Sequence, residues 1–301
     1  MGDLHSVRRS IGASLLGQFV FTQLLRSRQS KWWRWTGGVW QFILIWGRLK
    51  SWIISVPVHN TTILAPIDDY WIQRWIENET ALTPLNQLSV ILTSEIPTLC
   101  IIELGSGVGF WEIVCPSTYP PILGIESDFE RFRLLNRNAL YIDHFQTECA
   151  TINTEATTST VSIDSELNPM VTLSISELFH RHPSFQQANW LRIPLLDRVL
   201  DSIDSIFGWA YVQKPVITMQ WLTIPNDRIT QLITRLKDAG YTRSLWVGTS
   251  VMMGIELSHT ALIDDLILGP RSRTGWMVHF FPPAYAHIVD LIRGQWRAQG
   301  I

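Results

Sequence analysis

Past residue 97 the chain alternates between two hydrophobic rhythms. Short apolar runs lie at 99–103, 121–126, 189–193, 215–221 and 244–248. Between several of them, at 128–140, 197–207 and 226–239, apolar residues recur every three to four positions. An unbroken apolar run of about five residues fits a strand covered on both faces, and the longer periodic stretches fit helices. Strands alternating with helices predict an α/β fold, Rossmann-like, with a mainly parallel sheet and helices on both faces. Upstream, Ile67, Trp71, Trp75 and Ile76 keep a helical period across 68–79, and a second helix is expected over 85–92, stopped by Pro97. Downstream, 276–281 reads as a late strand and 284–297 as a closing helix. The stretch 147–168, rich in Thr, Ser and Asn, predicts one strand with a hairpin or loop.

The first sixty residues follow another pattern. An apolar segment at 10–25 lies between Arg9 and Arg26, and a shorter one at 37–47 lies between Arg34 and Arg48. Each is too short to span a bilayer as a helix, which takes about twenty apolar residues. Trp32, Trp33, Trp35, Trp40, Trp46 and Trp52 crowd the same region. Three readings fit it: helices packed on the domain, a helix lying in a membrane surface, or a targeting segment. We expect residues 1–60 to form a basic, Trp-rich helical extension. Residues 61–301 are then one domain, with no internal repeat or linker.

Charge sharpens this division. The chain of 301 residues has a net charge of −2, but residues 1–57 carry eight bases against the single acid Asp3. The remainder is therefore acidic, which argues against nucleic acid as its partner, because phosphate binding needs a basic surface. The three cysteines, Cys100, Cys115 and Cys149, make no CxxC pair, and the eight histidines lack metal-ligand spacing. A reducing compartment is implied, so the expected location is cytoplasmic, peripheral at a membrane if the first segment lies on one. At 46% hydrophobic and 17% charged residues, the composition is that of a folded domain with a sizeable core.

The most informative stretch runs Leu99-Cys100-Ile101-Ile102-Glu103-Leu104-Gly105-Ser106-Gly107-Val108-Gly109-Phe110-Trp111-Glu112. An apolar strand leads through Glu103 into alternating glycines that open a helix. Glycine lets the backbone turn tightly and approach a ligand closely. In open α/β sheets, ligands sit at the carboxyl ends of strands, where this turn would lie. The dinucleotide fingerprint needs a third glycine at the position of Phe110, which disfavours a nicotinamide-dependent oxidoreductase, and no phosphate-loop Gly-Lys-Ser/Thr follows. A second acid, Glu126, closes the next predicted strand, 21 residues after Gly105. A carboxylate there can accept both hydroxyl protons of a ribose. Ser127-x-x-Glu130 fits a capping box for the helix that follows.

The spacing E-x-G-x-G-x-G resembles motif I of class I S-adenosylmethionine-dependent methyltransferases. The resemblance implies S-adenosylmethionine as cofactor. Gly105, Ser106, Gly107 and Gly109 would pack against its amino-acid part, Glu103 would order its amino end through water or backbone, and Glu126 would hold the ribose. More narrowly, Ile125–Asn138, Val171–Leu178, Leu191–Asp197 and Gln213–Gln220 are similar to blocks of the FkbM family. This likeness covers roughly 98–248, with a cofactor half at about 98–150 and an acceptor half at about 170–250. It implies methylation of an oxygen on a small-molecule, glycan or lipid-linked acceptor. The oligomeric state is not legible.

The acceptor half departs from that family. On an ungapped register Pro194, Leu196 and Gln220 stand where the family carries acids. Methyl transfer needs the acceptor held close to the sulfonium methyl and often a base for its proton. Either that half is rebuilt, with Asp197, His180, His182 and Tyr211 as candidates, or the protein is a non-catalytic member that binds cofactor or a partner. Asp197 and Asp201 also fit a helix N-terminus, where acids complement the dipole. Gln220-Trp221 could shape an acceptor pocket. Phe110 and Trp111 could wall the cofactor or pack the first helix.

Overall fold

The computed structural model describes residues 53–58, 61–66, 69–72, 83–114, 120–140, 142–153, 160–163, 169–196, 199, 202–220, 226–247, 254–257 and 277–298. The Trp-rich segment up to Trp52 lies outside the described residues, so its three readings stay expectations.

The described chain begins with a hairpin, β1 (Ile53–Val58) and β2 (Thr61–Pro66). The last part of the segment expected to be helical is therefore a strand. Its run of β-branched residues favours an extended chain, and alternate residues Ile54, Val56 and Val58 are buried. After α1 (Thr83–Glu95), the pairs follow in the expected order: β3 (Ile101–Leu104), α2 (Phe110–Val114), β4 (Ile122–Glu126), α3 (Phe129–Ala139) and β5 (Phe145–Cys149). The Thr- and Ser-rich stretch holds more strand than expected. β6 (Thr151–Ile152), β7 (Thr160–Ile163) and β8 (Pro169–Leu173) form a separate three-stranded sheet. Then come α4 (Ile175–Arg181), β9 (Trp190–Ile193), α5 (Ile203–Gln213), β10 (Val216–Gln220), α6 (Asn226–Asp238), β11 (Arg243–Val247) and β12 (Gly254–Leu257). The chain closes with β13 (Met277–Phe281) and α7 (Ala286–Ala298).

Eight strands form the main sheet in the order β12-β11-β13-β10-β9-β3-β4-β5. β3, β4, β5, β9 and β10 are parallel, whereas β13 enters antiparallel between β10 and β11. The strand order reverses between β3 and β9. That is the topological switch point, where open α/β sheets leave a crevice at the carboxyl ends of their strands. This is the Rossmann-like methyltransferase arrangement expected from the sequence, with its final strand inserted next to the last.

Each face of the sheet has its own core. One is built with the hairpin, α1, α2 and α7 around Ile101, Trp190, Val216, Leu245 and Phe281. The other is built with α4, α5 and α6 around Ile102, Leu191, Ile193, Ile217 and Phe280. Alternation along each strand sends neighbouring residues to opposite faces.

Two boundaries differ from expectation. The cap of α3 is Asp128, not Ser127: its side chain accepts the N–H of Arg131 at 2.9 Å. Glu126 already takes the N–H of Asp128, so the helix starts one residue later than the capping box suggests. The helix expected at 197–207 begins at Ile203. Before it, Leu195, Leu196 and Val199 are buried, and tight turns link them: the Val199 N–H donates to the Leu196 carbonyl and the Ser202 N–H to the Val199 carbonyl. Asp197, Asp201 and Trp221 lie outside the described residues.

Candidate active site

The glycine turn joins β3 to α2 at the switch point. Gly105, Gly107 and Gly109 all have positive φ, at 75°, 60° and 79°. L-residues with a Cβ rarely adopt this region, so the alternating glycines are required by the turn itself. Gly105 and Ser106 both donate their N–H to the carbonyl of Ile125, which binds the turn to β4. A Cβ on Gly105 would stand 2.6 Å from Val199 Cγ1, and one on Gly109 would stand 3.0 Å from Leu135 Cδ1. Ser106 donates its hydroxyl to the Glu103 carbonyl at 3.1 Å. It has room because position 124 is glycine: a Cβ there would come 2.8 Å from Ser106 Oγ.

Glu126 ends β4 beside this turn and is only 5% exposed. One carboxylate oxygen accepts the N–H of Gly107 at 2.7 Å, and the other accepts the N–H of Asp128 at 2.9 Å. Sequence and fold thus bring Gly105, Ser106, Gly107, Gly109 and Glu126 together at the carboxyl ends of β3 and β4. Gly105, Gly107 and Gly109 are themselves buried, with the side chain of Val199 against Gly105 and those of Leu135 and Phe145 against Gly109. The carboxylate held on backbone N–H groups beside them fits the hydroxyls of a polar sugar.

Glu103 lies behind the turn. Its side chain is fully buried, and its Oε2 is 2.6 Å from a guanidinium nitrogen of Arg192 on β9. The same nitrogen donates to Glu112 Oε1 of α2 at 2.5 Å. Burial pushes the Glu103 carboxyl well above the usual carboxylate range, Arg192 opposes that shift, and the nearby Glu112 adds to it. Sealing from water thus favours the protonated form of Glu103. Arg192 is the group that sequence reading missed. It reads as one charge within an apolar strand, and only the cross-strand register places it opposite Glu103.

Residues 69–72 pack on α2 and α3. Asp69, buried, caps this helical turn by accepting the N–H groups of Trp71 and Ile72, and Arg131 of α3 reaches its other oxygen at 3.2 Å. Trp71 packs edge-on against Trp111 of α2, with ring centroids 5.1 Å apart. Phe110 and Trp111 are buried core residues of α2. Tyr70 is half-buried, and its hydroxyl lies 3.4 Å from Gln220 Nε2 at the carboxyl end of β10.

The acceptor half holds no carboxylate at its described strand ends. Pro194 follows β9, while Leu196 and Gln220 are both buried. The substitute candidates are elsewhere. α5 runs back from the carboxyl to the amino edge of the sheet, so Tyr211 in its last turn sits at the wrong edge, under Arg235 of α6. His182, at the end of α4, binds Glu148 at 2.9 Å and Gln146 at 3.0 Å. His180 is exposed on the same helix. The described cysteines are poor nucleophiles: burial pushes both Cys100 and Cys149 up to about 11.

No family model matches the chain, and no curated protein matches it. Solved structures with a similar fold include a precorrin-6y C5,15-methyltransferase from Geobacter metallireducens, at 11% identity and a TM-score of 0.36 over 65% of this chain and 87% of that one. The plantazolicin methyltransferase in complex with SAH is 11% identical, with a TM-score of 0.37 over 72% of this chain and 92% of that one. A SAM-dependent methyltransferase from Agrobacterium tumefaciens is 8% identical, with a TM-score of 0.42 over 76% of this chain and 70% of that one. At such identities no residue role transfers to this chain, whose own strand order and glycine turn define its site.

Proposed function

We propose that the protein binds S-adenosylmethionine across the carboxyl ends of β3 and β4 and is a methyltransferase. The observation that carries this reading is the meeting of Glu126 with the Gly107 N–H in a turn whose three glycines all have positive φ. Glu126 would hold the ribose, exchanging one backbone N–H for hydroxyl donors. Gly105, Ser106, Gly107 and Gly109 would carry the amino-acid portion, with Glu103 ordering it from behind through the backbone. When bound, the cofactor supplies an electrophilic methyl group.

For the acceptor, the FkbM-like blocks support an oxygen of a small-molecule, glycan or lipid-linked compound. With no carboxylate at the described strand ends there, the described residues at that end are suited to hold a hydroxyl rather than to strip it, and proximity would supply the acceleration. Tyr70 and Gln220 are the polar pair at the carboxyl end of β10. The basic, Trp-rich first segment supports an acceptor near a membrane surface. Among the described residues no helix is long and apolar enough to cross a membrane.

A second reading has its own observation. Leu196 and Gln220 are buried and Pro194 replaces an acid, which fits a non-catalytic protein that kept the cofactor cradle. Incubation with methyl-labelled S-adenosylmethionine and a cell extract separates the two. Label entering the small-molecule or lipid fraction, and lost in Glu126→Ala, supports catalysis. Tight S-adenosylhomocysteine binding with no transfer supports the second reading.

A further inference from the structure

We infer that Arg192 is a positioning residue that clamps the glycine turn from both ends, through Glu103 before it and Glu112 after it. The inference rests on the cofactor reading of that turn and adds the device that would hold it in shape.

Glu103 lies two residues before Gly105, and Glu112 three residues after Gly109. Arg192 faces Glu103 in direct register across β3 and β9, at the topological switch point. One of its nitrogens is 2.6 Å from the Glu103 carboxylate and 2.5 Å from that of Glu112. Its guanidinium carbon is 5.2 Å from the ring centre of Trp190 and 5.9 Å from that of Trp111. These contacts hold one guanidinium nitrogen between the two carboxylates that flank the turn.

The turn needs such a device. Glycine loses more conformational entropy on ordering than any other residue type, and this turn orders Gly105, Gly107 and Gly109 together. Its front is tied to β4 by the Ile125 carbonyl and its Val108 carbonyl accepts from Asn138 Nδ2 of α3 at 2.8 Å, while its rear enters α2, described over Phe110–Val114. Glu112, in the middle of α2, is the group that pins it to β9.

Stability alone does not account for the triad. Burying one guanidinium with two carboxylates is costly, and apolar residues of similar size often stabilise a core as well or better. What an apolar trio lacks is the directed Arg192–Glu112 hydrogen bond and the Arg192–Glu103 ion pair, which together fix where α2 begins relative to β3.

The test uses the full chain in four forms: wild type, Arg192→Lys, Arg192→Met, and Arg192→Met combined with Glu103→Gln and Glu112→Gln. The combined variant removes every buried charge of the triad while keeping volumes close. Hydrogen exchange over 104–112 is read without ligand, alongside melting temperature and calorimetric binding of S-adenosylhomocysteine. The clamp predicts that the combined variant melts within a few degrees of wild type. Its 104–112 segment then exchanges at least tenfold faster, and it binds the probe at least tenfold more weakly. Wild-type protection over 104–112 in that variant overturns the clamp, since the charges would then only balance one another. If the combined variant does not fold, Arg192→Lys decides by the same exchange: faster opening confined to 104–112 supports the clamp, and wild-type protection overturns it. Absence of probe binding by wild type counts against the cofactor reading, while exchange still decides the clamp.

Discussion

Glu126 accepts the backbone N–H of Gly107 at 2.7 Å, although 19 residues separate them in sequence. The two sit on neighbouring parallel strands and their turns, so the sheet, not local structure, makes the contact. In the proposed function, this carboxylate at the end of β4 would exchange an N–H donor for the hydroxyl donors of a ribose.

Glu126→Ala is therefore expected to weaken S-adenosylhomocysteine binding by roughly 1.5–3 kcal/mol, about ten- to a hundredfold. Glu126→Gln keeps one acceptor oxygen and loses the charge, so its loss is smaller. Calorimetry on both reads the order directly. Equal affinity in Glu126→Ala and wild type removes Glu126 from the site.

Gly105→Ala tests the turn. At φ 75° the new Cβ enters a region that costs L-residues about 1–2 kcal/mol, and it would stand 2.6 Å from Val199 Cγ1. Thermal unfolding is expected to fall by several degrees with cofactor affinity reduced. Gly208→Ala is the control, because a Cβ there meets nothing within 4 Å. A Gly105→Ala protein as stable as the control contradicts the geometry.

Sequence legibility followed burial. β3, β4, β9 and β10 read correctly because each is mostly apolar and buried throughout. Gly105, Gly107, Gly109 and Glu126 were legible because a turn and a strand end have fixed spacing. Arg192 and Tyr70 were not: their partners lie on strands and turns 80 or more residues away. The region just before Ile203 misled for a different reason. Leu195, Leu196 and Val199 repeat at helical intervals, but the backbone bonds there close three-residue turns, and Val199 packs over Gly105. Local periodicity cannot distinguish those cases.

The hairpin sets where the first segment can be cut. A deletion of 1–57 removes nearly all of β1 and leaves β2 without its partner, whereas a deletion of 1–50 spares both strands. The longer deletion is expected to melt at a lower temperature than the shorter one. With the shorter deletion, loss of flotation on phosphatidylserine-containing vesicles supports membrane-surface binding by the first segment. Unchanged flotation disposes of it.

A buried polar row predicts a pH dependence. Trp190 donates its indole N–H to Thr218 Oγ1 at 2.9 Å, and Thr218 Oγ1 lies 2.9 Å from His279 Nδ1, its direct partner across β10 and β13. Burial lowers the His279 imidazole to about 3 from an ordinary 6.5. Folded, the ring stays neutral down to that value; unfolded, it takes a proton below 6.5. The unfolded state then binds the extra proton, so stability falls as pH drops through this window and is unaffected above it. Between pH 7 and pH 5 the wild type should lose about 2 kcal/mol more than His279→Asn in urea unfolding. Parallel pH profiles for the two proteins would refute the neutral buried ring.

Titration of the wild-type full chain with S-adenosylhomocysteine by calorimetry tests the cofactor assignment most directly. Saturable one-site binding is predicted, with a dissociation constant in the micromolar range, on the order of −8 kcal/mol. No heat and no thermal shift at millimolar ligand would contradict it.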